Sequence, residues 1–249
     1  MKKTITLLAA ALMVSTSAFA LSWNPEPASE QHLVGVTIGW ANKTMQTDGI
    51  TTSLTAVDDD QLLGNTLKVG LTITPEFKYG IGLQAGVYYE WTGNSYMYSD
   101  ILGKIEWRNN NHEISIPVRL QWRYEIINGM SVYAFTGPSF DIGILYSERV
   151  KLFDAEGALA GKAFVNDYSG RYNIDSSLAS VLGWSGEGKN DNVKAYKPFH
   201  PYWGFGVGFQ WEYLRLQISS DWGIMNVSNN TNHAVYFNKP IEVSFSYLF

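Results

Sequence analysis

The sequence predicts an all-β fold, an eight-stranded antiparallel up-and-down transmembrane β-barrel with short periplasmic turns and long outer loops. Three observations predict it. Apolar and polar residues alternate with period two in eight segments, and helical periodicity is almost absent. Most of these segments have about 9–12 residues, which suits a tilted strand that crosses a bilayer. The connections between them alternate between short and long, as in outer-membrane barrels.

Composition excludes several other classes of protein. The chain has 249 residues, of which 16% are charged, against about 25% in a typical soluble domain. Mean hydropathy is −0.12 and no apolar run reaches the roughly 20 residues of a membrane-spanning helix. The absence of Cys excludes disulfides, thiolate metal centres and a Cys-linked lipid anchor. A net charge of −5 leaves no electrostatic footprint for binding nucleic acid.

The N-terminus has the pattern of a secretory signal peptide. Lys2 and Lys3 precede an apolar stretch over 5–14, and Ala18 and Ala20 form a small-x-small cleavage pattern. We therefore expect residues 1–20 to be removed and residues 21–249 to form the barrel. The lysine-rich start indicates a bacterial exported protein, and a barrel places it in the outer membrane of a Gram-negative cell.

The strands follow from the alternation. In 113–124, for example, Ile114, Ile116 and Val118 fall on one face while Ser115 and Arg119 fall on the other. The eight predicted strands are 33–41, 66–74, 80–91, 113–124, 130–146, 203–212, 214–222 and 241–249. Short turns join the second to the third, the fourth to the fifth and the sixth to the seventh. The other four connections are about 24, 20, 55 and 18 residues long on this assignment.

Aromatic residues fall at both ends of the predicted strands. This arrangement predicts one girdle at each membrane interface. The residues beside the short turns are Phe77, Tyr79, Trp122, Tyr124, Trp211, Tyr213, Tyr247 and Phe249. Those beside the long loops are Trp40, Trp91, Tyr146, Trp203 and Trp222.

The last predicted strand ends in alternating aromatic residues, Phe245, Tyr247 and Phe249. A terminal aromatic strand resembles the C-terminal signal that the barrel-assembly machinery recognises, and an open edge strand can pair with that machinery by β-augmentation. We therefore expect the barrel-assembly machinery to be a partner. An ordinary last strand that happens to end in Phe has the same appearance.

The inward faces predict a polar interior. An eight-stranded barrel is just wide enough for side chains to fill it, and buried charges are tolerated when they are paired. We predict a lumen charge network and a filled lumen, with no cofactor and no metal site. The residues of this predicted network are Glu90, Arg119, Arg123, Asp141, Glu212, Arg215, Asp221 and Glu242. We also expect Arg123, Glu212 and Arg215 to lie close together near the periplasmic turns.

Five short motifs lie along the predicted strands: Ile116-Pro117-Val118-Arg119, Trp122-Arg123-Tyr124, Ala134-Phe135-Thr136-Gly137-Pro138, Tyr202-Trp203-Gly204-Phe205-Gly206-Val207-Gly208 and Asp221-Trp222-Gly223. Together they resemble the PorT-type family of small outer-membrane β-barrel proteins found in Bacteroidetes-like bacteria. The resemblance covers most of 21–249. It implies an eight-stranded barrel in the outer membrane and supplies no catalytic residues.

We expect a structural or adhesive role, or binding through the outer loops. The connection over 147–201 is rich in aromatics, and a loop of that length is usually functional or disordered. The expected partners are outer-membrane lipid and an extracellular or envelope protein. A narrow pore for small solutes is the alternative. A lipid A-modifying enzyme is less favoured, because His112 and Ser115 are three positions apart and point to opposite faces of a regular strand.

Overall fold

The computed structural model describes residues 34–48, 60–77, 80–100, 103–127, 129–153, 156–166, 171–174, 196–228 and 234–249. The predicted signal peptide over 1–20 lies outside these residues. Among the residues described, no helix is long and apolar enough to cross a membrane.

In the described part of the chain, ten antiparallel strands form one sheet, and eight of them close into a barrel. The strands are β1 (Val34–Asp48), β2 (Asp60–Ile73), β3 (Ile81–Asp100), β4 (Gly103–Ile127), β5 (Met130–Phe153), β6 (Leu159–Asn166), β7 (Arg171–Ile174), β8 (Phe199–Trp211), β9 (Leu214–Gly223) and β10 (Ala234–Leu248). Around the barrel the order is β1–β2–β3–β4–β5–β8–β9–β10, and pairing of β10 with β1 closes the ring. The predicted fold class is confirmed.

The barrel strands are longer at their outer ends than the sequence predicts. The third strand continues from the predicted end at 91 to Asp100, and β4 begins at Gly103 rather than at 113. Two residues therefore separate these strands where a loop of about 20 was predicted. Alternation is a weak signal in this region because neither face of these segments lies against lipid.

The long connection predicted over 147–201 is partly a sheet. The fifth strand extends to Phe153, and the hairpin of β6 and β7 pairs with its outer half. Residues 94–100, 103–110, 147–153, 159–166 and 171–174 form a five-stranded layer above the barrel, here called the outer sheet. It begins where the register of β2 with β3 ends, at Asn65 and Gly93.

The two surfaces of the barrel have opposite chemistry. Along β1 the exposed residues Val36 and Ile38 alternate with the buried residues Thr37 and Gly39, and the same alternation continues around the ring. Large apolar side chains therefore cover the outside while polar and charged side chains fill the inside. A soluble barrel has the reverse distribution, whereas this one is typical of a barrel that crosses a bilayer.

Most of the predicted girdle residues that the structure describes lie on the outer surface, but the prediction for Tyr146 is wrong; Tyr79 lies outside the described residues. Trp40, Trp91, Trp203 and Trp222 are between 39% and 51% exposed. Tyr146 is 1% exposed. A register shift where β4 and β5 pair near His112 reverses the alternation of β5. The side chain of Tyr146 consequently turns inward.

Candidate functional site

The lumen of the barrel contains a continuous set of buried ionic side chains, here called the lumen network. It comprises Lys43, Lys68, Glu90, Glu113, Arg119, Asp141, Arg215, Asp221, Lys239 and Glu242, each at most 5% exposed. Five are basic and five are acidic, so the set is formally neutral. Balanced charge matters because an uncompensated ion inside a barrel loses its hydration without gaining a partner.

The predicted lumen residues divide into two groups. Glu90, Arg119, Asp141, Arg215, Asp221 and Glu242 lie inside the barrel as members of the lumen network. Arg123 and Glu212 lie at the periplasmic end, outside the network. Arg123 pairs with Glu76 across 2.5 Å. Glu212 is an exposed turn residue with a φ of 48°, because β8 ends at Trp211 before the alternation reaches it. Glu212 is therefore not part of a buried cluster with Arg123 and Arg215, whereas both arginines act on the Glu76 carboxylate.

The outermost layer of the lumen network is formed by β1, β4 and β8. The ammonium group of Lys43 is paired with Oε2 of Glu113. The other carboxylate oxygen of Glu113 lies 2.9 Å from His200 Nδ1 and accepts a hydrogen bond of 2.9 Å from Asn111. His200 Nε2 is 2.6 Å from the carbonyl oxygen of Lys197.

Lys239 holds the next layer together. Its Nζ lies 2.6 Å from Glu90 Oε2 and 2.7 Å from Asp141 Oδ2. It also lies over the ring of Tyr202, 5.0 Å from the centroid. Glu90, Glu113 and Asp141 each bring one carboxylate oxygen within 4.8 Å of the others, a spacing that suits a cation. Lys239 and Lys43 supply that positive charge from the chain itself.

Two further ion pairs cross the middle of the barrel. Arg119 donates to both oxygens of Asp221, at 2.7 and 2.5 Å. Lys68 is paired with Glu242 and lies over the Tyr88 ring, 4.7 Å from its centroid. Neither pair joins neighbouring strands. Arg119 and Asp221 connect β4 to β9, three strands apart around the ring, and Lys68 and Glu242 connect β2 to β10 on either side of β1.

Arg215 occupies the periplasmic half of the lumen and differs from the other basic members. Its guanidinium lies over the Tyr133 ring, 3.7 Å from the centroid, and donates to the side-chain oxygen of Gln121. The nearby amide of Gln84 donates to Gln217 across 2.8 Å. The Arg215 guanidinium thus contacts an aromatic ring and a side-chain amide at this level, where the other basic residues of the lumen network contact carboxylates.

A last ion pair lies at the periplasmic rim, in the segment between β2 and β3. Burial raises the pKa of the Glu76 carboxyl above its usual value, and the Arg123 guanidinium opposes that shift. The backbone here is tied down by hydrogen bonds from Phe77 N–H to Ile81 O and from Leu83 N–H to Pro75 O, at 2.6 and 2.8 Å.

Four residues of the lumen network are missing from the predicted set. Lys68 and Glu113 lie on the polar faces of predicted strands, so a predicted network that contained every ionic residue of those faces would have contained both. Lys43 lies two positions beyond the predicted end of the first strand and keeps its alternation. Lys239 is different, because the register of β10 shifts between Lys239 and Glu242 and reverses the inward face. Pro240 inside the strand is the one sequence signal of that irregularity.

The outward face of β3 and β4 carries a chain of hydrogen-bonding side chains at the upper edge of the apolar surface. Trp91 Nε1 donates to Asn110 Oδ1 at 2.6 Å, and Asn110 Nδ2 is 3.1 Å from His112 Nε2. His112 Nδ1 contacts the Tyr89 hydroxyl. His112 points outward and Ser115 is buried in the lumen, so the two lie on opposite faces as the spacing predicts.

The C-terminal aromatic residues lie on the outer surface. Phe245, Tyr247 and Phe249 are 43%, 50% and 60% exposed. The backbone of the last two residues is held at the seam of the barrel, where Leu248 N–H donates to Tyr213 O and Phe249 N–H to Val34 O, both at 2.7 Å.

No protein-family model and no curated protein matches the chain, so the resemblance to the PorT-type family stays a prediction. Among solved structures, Ail, the attachment invasion locus protein of Yersinia pestis, is similar with a TM-score of 0.40 and 11% identity. The match covers 88% of this chain and 100% of that one. The translocator domain of the autotransporter NalP from Neisseria meningitidis gives a TM-score of 0.30 at 10% identity, covering 98% and 97%. At these values the comparisons assign neither a function nor a ligand.

Proposed function

We propose that this chain is an integral outer-membrane protein with a closed lumen that binds partners through its outer sheet. The observation that carries the proposal is the distribution of side chains between the two faces of the barrel. On β4 the outward side chains between the girdle residue Trp122 and Ile114, below His112, are all apolar; they span nine residues or roughly 23 Å along the axis of a barrel tilted by about 40°. That height matches the apolar band of outer-membrane barrels.

The lumen network supports a closed rather than an open lumen. Its ion pairs follow one another from Lys43 near the outer mouth to Arg119 in the middle, and Arg215 fills the periplasmic half. A hydrated ion must displace several of these contacts to pass. The alternative proposed from sequence, a narrow pore for small solutes, requires a continuous water path instead.

The outer sheet supports a binding role. The fourth strand has 25 residues, which corresponds to about 60 Å along the barrel axis. Only about half of that length is needed to cross the hydrocarbon core. The rest holds the outer sheet above the membrane, where a rigid β-layer presents side chains to lipid headgroups or to an extracellular or envelope protein.

Conductance in planar bilayers tests the closed lumen. The refolded protein should insert, as shown by heat-modifiable migration in SDS gels, without discrete current steps. A Lys239→Ala/Glu90→Ala variant removes two large side chains from one layer and should give measurable leakage, which establishes the sensitivity of the assay. Reproducible single-channel steps from the unaltered protein would refute the closed lumen and favour the pore.

Crosslinking in whole cells tests the binding role. Replacing 94–109 by Asn-Gly joins Gly93 to Asn110, which are register partners, and removes one hairpin of the outer sheet while leaving the barrel intact. A specific partner should crosslink to the full chain and not to this trimmed variant. Equal crosslinking of both would exclude this hairpin as the binding surface.

A further inference from the structure

Arg215 is the one basic member of the lumen network that contacts no carboxylate among the residues the structure describes. Its side chain is 1% exposed. The acidic members of the network are all matched to the other bases, because Lys239 contacts two of them and the remaining bases contact one each. A buried guanidinium without an anion keeps its charge in surroundings that solvate it poorly, which is costly.

Most of the hydrogen-bonding capacity of Arg215 is unused. Its Nη2 donates to the side-chain oxygen of Gln121, and the guanidinium lies over the ring of Tyr133. Nε and Nη1, which carry most of the N–H bonds of a guanidinium, have no acceptor within the described part of the chain. Buried donors normally have a partner, so these two nitrogens indicate a ligand that the protein itself does not supply.

The polar side chains that flank Arg215 are bonded to other groups. Ser246 and Gln210 are its register partners on β10 and β8. The hydroxyl of Ser246 is bonded to that of Thr37 at 2.7 Å, and Gln210 donates to the carbonyl oxygen of Glu212 at 3.2 Å. The neighbouring strands therefore leave the unused N–H groups of Arg215 without an acceptor.

The acidic residues at the periplasmic end do not supply the missing anion. Arg215 acts on the Glu76 carboxylate, but that carboxylate is already in contact with Arg123 at 2.5 Å. Glu125 and Glu212 are exposed, so water and salt screen their charges. Two arginines therefore share one carboxylate, and the arginine at the rim holds it.

A hydroxyl on the adjacent strand is a second donor. Ser244 is buried, and its Oγ has no hydrogen-bond partner among the described residues. Because Ser246 is the register partner of Arg215, Ser244 lies diagonally across the same ladder, within reach of a long side chain. Neighbouring donors that lack an acceptor suit an anion and not a cation.

We propose that Arg215 and Ser244 bind a small inorganic anion of the size of chloride in the periplasmic half of the lumen. One negative charge there gives Arg215 the pairing that the other bases obtain from carboxylates. The lumen of an eight-stranded barrel is filled by side chains, so a halide fits better than a larger phosphate or carboxylate ligand. The site goes beyond the proposed function, because it does not depend on what the outer sheet binds.

Urea unfolding of the refolded protein in phosphatidylcholine vesicles tests the proposal. Sodium chloride or sodium bromide replaces sodium gluconate at constant ionic strength, and tryptophan fluorescence reports unfolding. A single site predicts that each tenfold rise in halide above the dissociation constant increases the folding equilibrium constant about tenfold. Crystals grown in bromide should show the anomalous signal of the ion beside the Arg215 guanidinium.

Variants locate the effect. Arg215→Met removes the charge at similar length and should abolish the halide dependence. Ser244→Ala removes one donor and should weaken halide affinity about tenfold. Glu76→Gln removes the carboxylate that competes for Arg215 and should strengthen halide affinity roughly fivefold. Arg108→Gln is the matched control, because it removes an exposed guanidinium of the outer sheet and should keep the full halide dependence.

Equal stability of the unaltered protein in halide and gluconate overturns the proposal; water between Arg215 and Gln84 Oε1, a buried acceptor with no described partner, then accounts for the unused donors. A halide effect that persists in Arg215→Met, or a bromide signal only elsewhere, indicates an adventitious ion only and also overturns it. If Arg215→Met does not fold, unchanged affinity in both Ser244→Ala and Glu76→Gln has the same meaning. Discrete current steps would refute the closed lumen but leave the halide dependence in place, so the two failures are distinguishable.

Discussion

Replacing Lys239 by Met tests whether the lumen network stabilises the barrel. Lys239 is fully buried, and its ammonium group neutralises both Glu90 and Asp141. Removing one partner of a buried ion pair typically costs 3–5 kcal/mol. Met fills a similar volume but leaves two carboxylates close together without their shared cation. We therefore expect a loss near the upper limit, about 5 kcal/mol in the free energy of unfolding.

The assay is equilibrium unfolding by urea from lipid vesicles, followed by the fluorescence of the nine tryptophans. A Lys151→Met variant is the matched control, because the side chain of Lys151 is 30% exposed and its ion pair with Glu106 is only partly buried, so its loss should be smaller. Adding Glu90→Gln to Lys239→Met removes one uncompensated charge and should recover part of the loss. A Lys239→Met barrel within about 1 kcal/mol of the unaltered protein would refute the reasoning, since the network would then contribute no pairing energy.

Three other predictions follow from local contacts. A Cβ added to Gly204 would lie 1.8 Å from Asp221 Oδ1, whereas a Cβ added to Gly93 would have a Trp91 ring atom at 3.3 Å as its nearest neighbour. Gly204→Ala should therefore lower the free energy of unfolding in urea by about 3 kcal/mol, and Gly93→Ala should lower it much less. Lys151 and Arg108 lower the pKa of Glu106 in the folded protein below its usual value of 4.5. The stability that the ionised Glu106 gives the outer sheet is therefore present above pH 4.5 and is lost as the pH falls through the lowered pKa. Below that pH, amide hydrogen exchange in 103–110 should become faster than the intrinsic pH trend predicts in the unaltered protein but not in Glu106→Gln. Phe249→Ala should reduce assembly in cells, measured as heat-modifiable protein in the outer membrane, while refolding into detergent stays unchanged; equal losses in both assays would contradict an assembly signal.

The bilayer-crossing part of the fold is predictable from sequence because each position there meets one of two very different environments. Val36 and Ile38 face lipid and Thr37 faces the lumen, so the alternation is strong. Above the membrane both faces of a strand meet polar surroundings, and the signal fades. The prediction consequently ends strands early and misses β6 and β7 altogether.

The candidate site was predictable only where alternation is unbroken. His200 lies on an unbroken part of a strand, since β8 begins at Phe199 and its inward residues include His200 and Tyr202. Extending the predicted sixth strand toward its N-terminus by a few residues places His200 inside the barrel rather than in an outer loop. Lys239 and Tyr146 could not be placed in this way, because each lies beyond a register shift that adds one residue to its strand.

The charged residues of β10 have a consequence for the order of folding. The last strand carries both Lys239 and Glu242, which pair with Glu90, Asp141 and Lys68 on β3, β5 and β2. Until the C-terminal strand arrives, a nascent barrel holds acids and a base whose counterions are still outside the ring. Partly assembled forms are therefore electrostatically incomplete, and closure of the seam completes the pairing of several walls in one cooperative step.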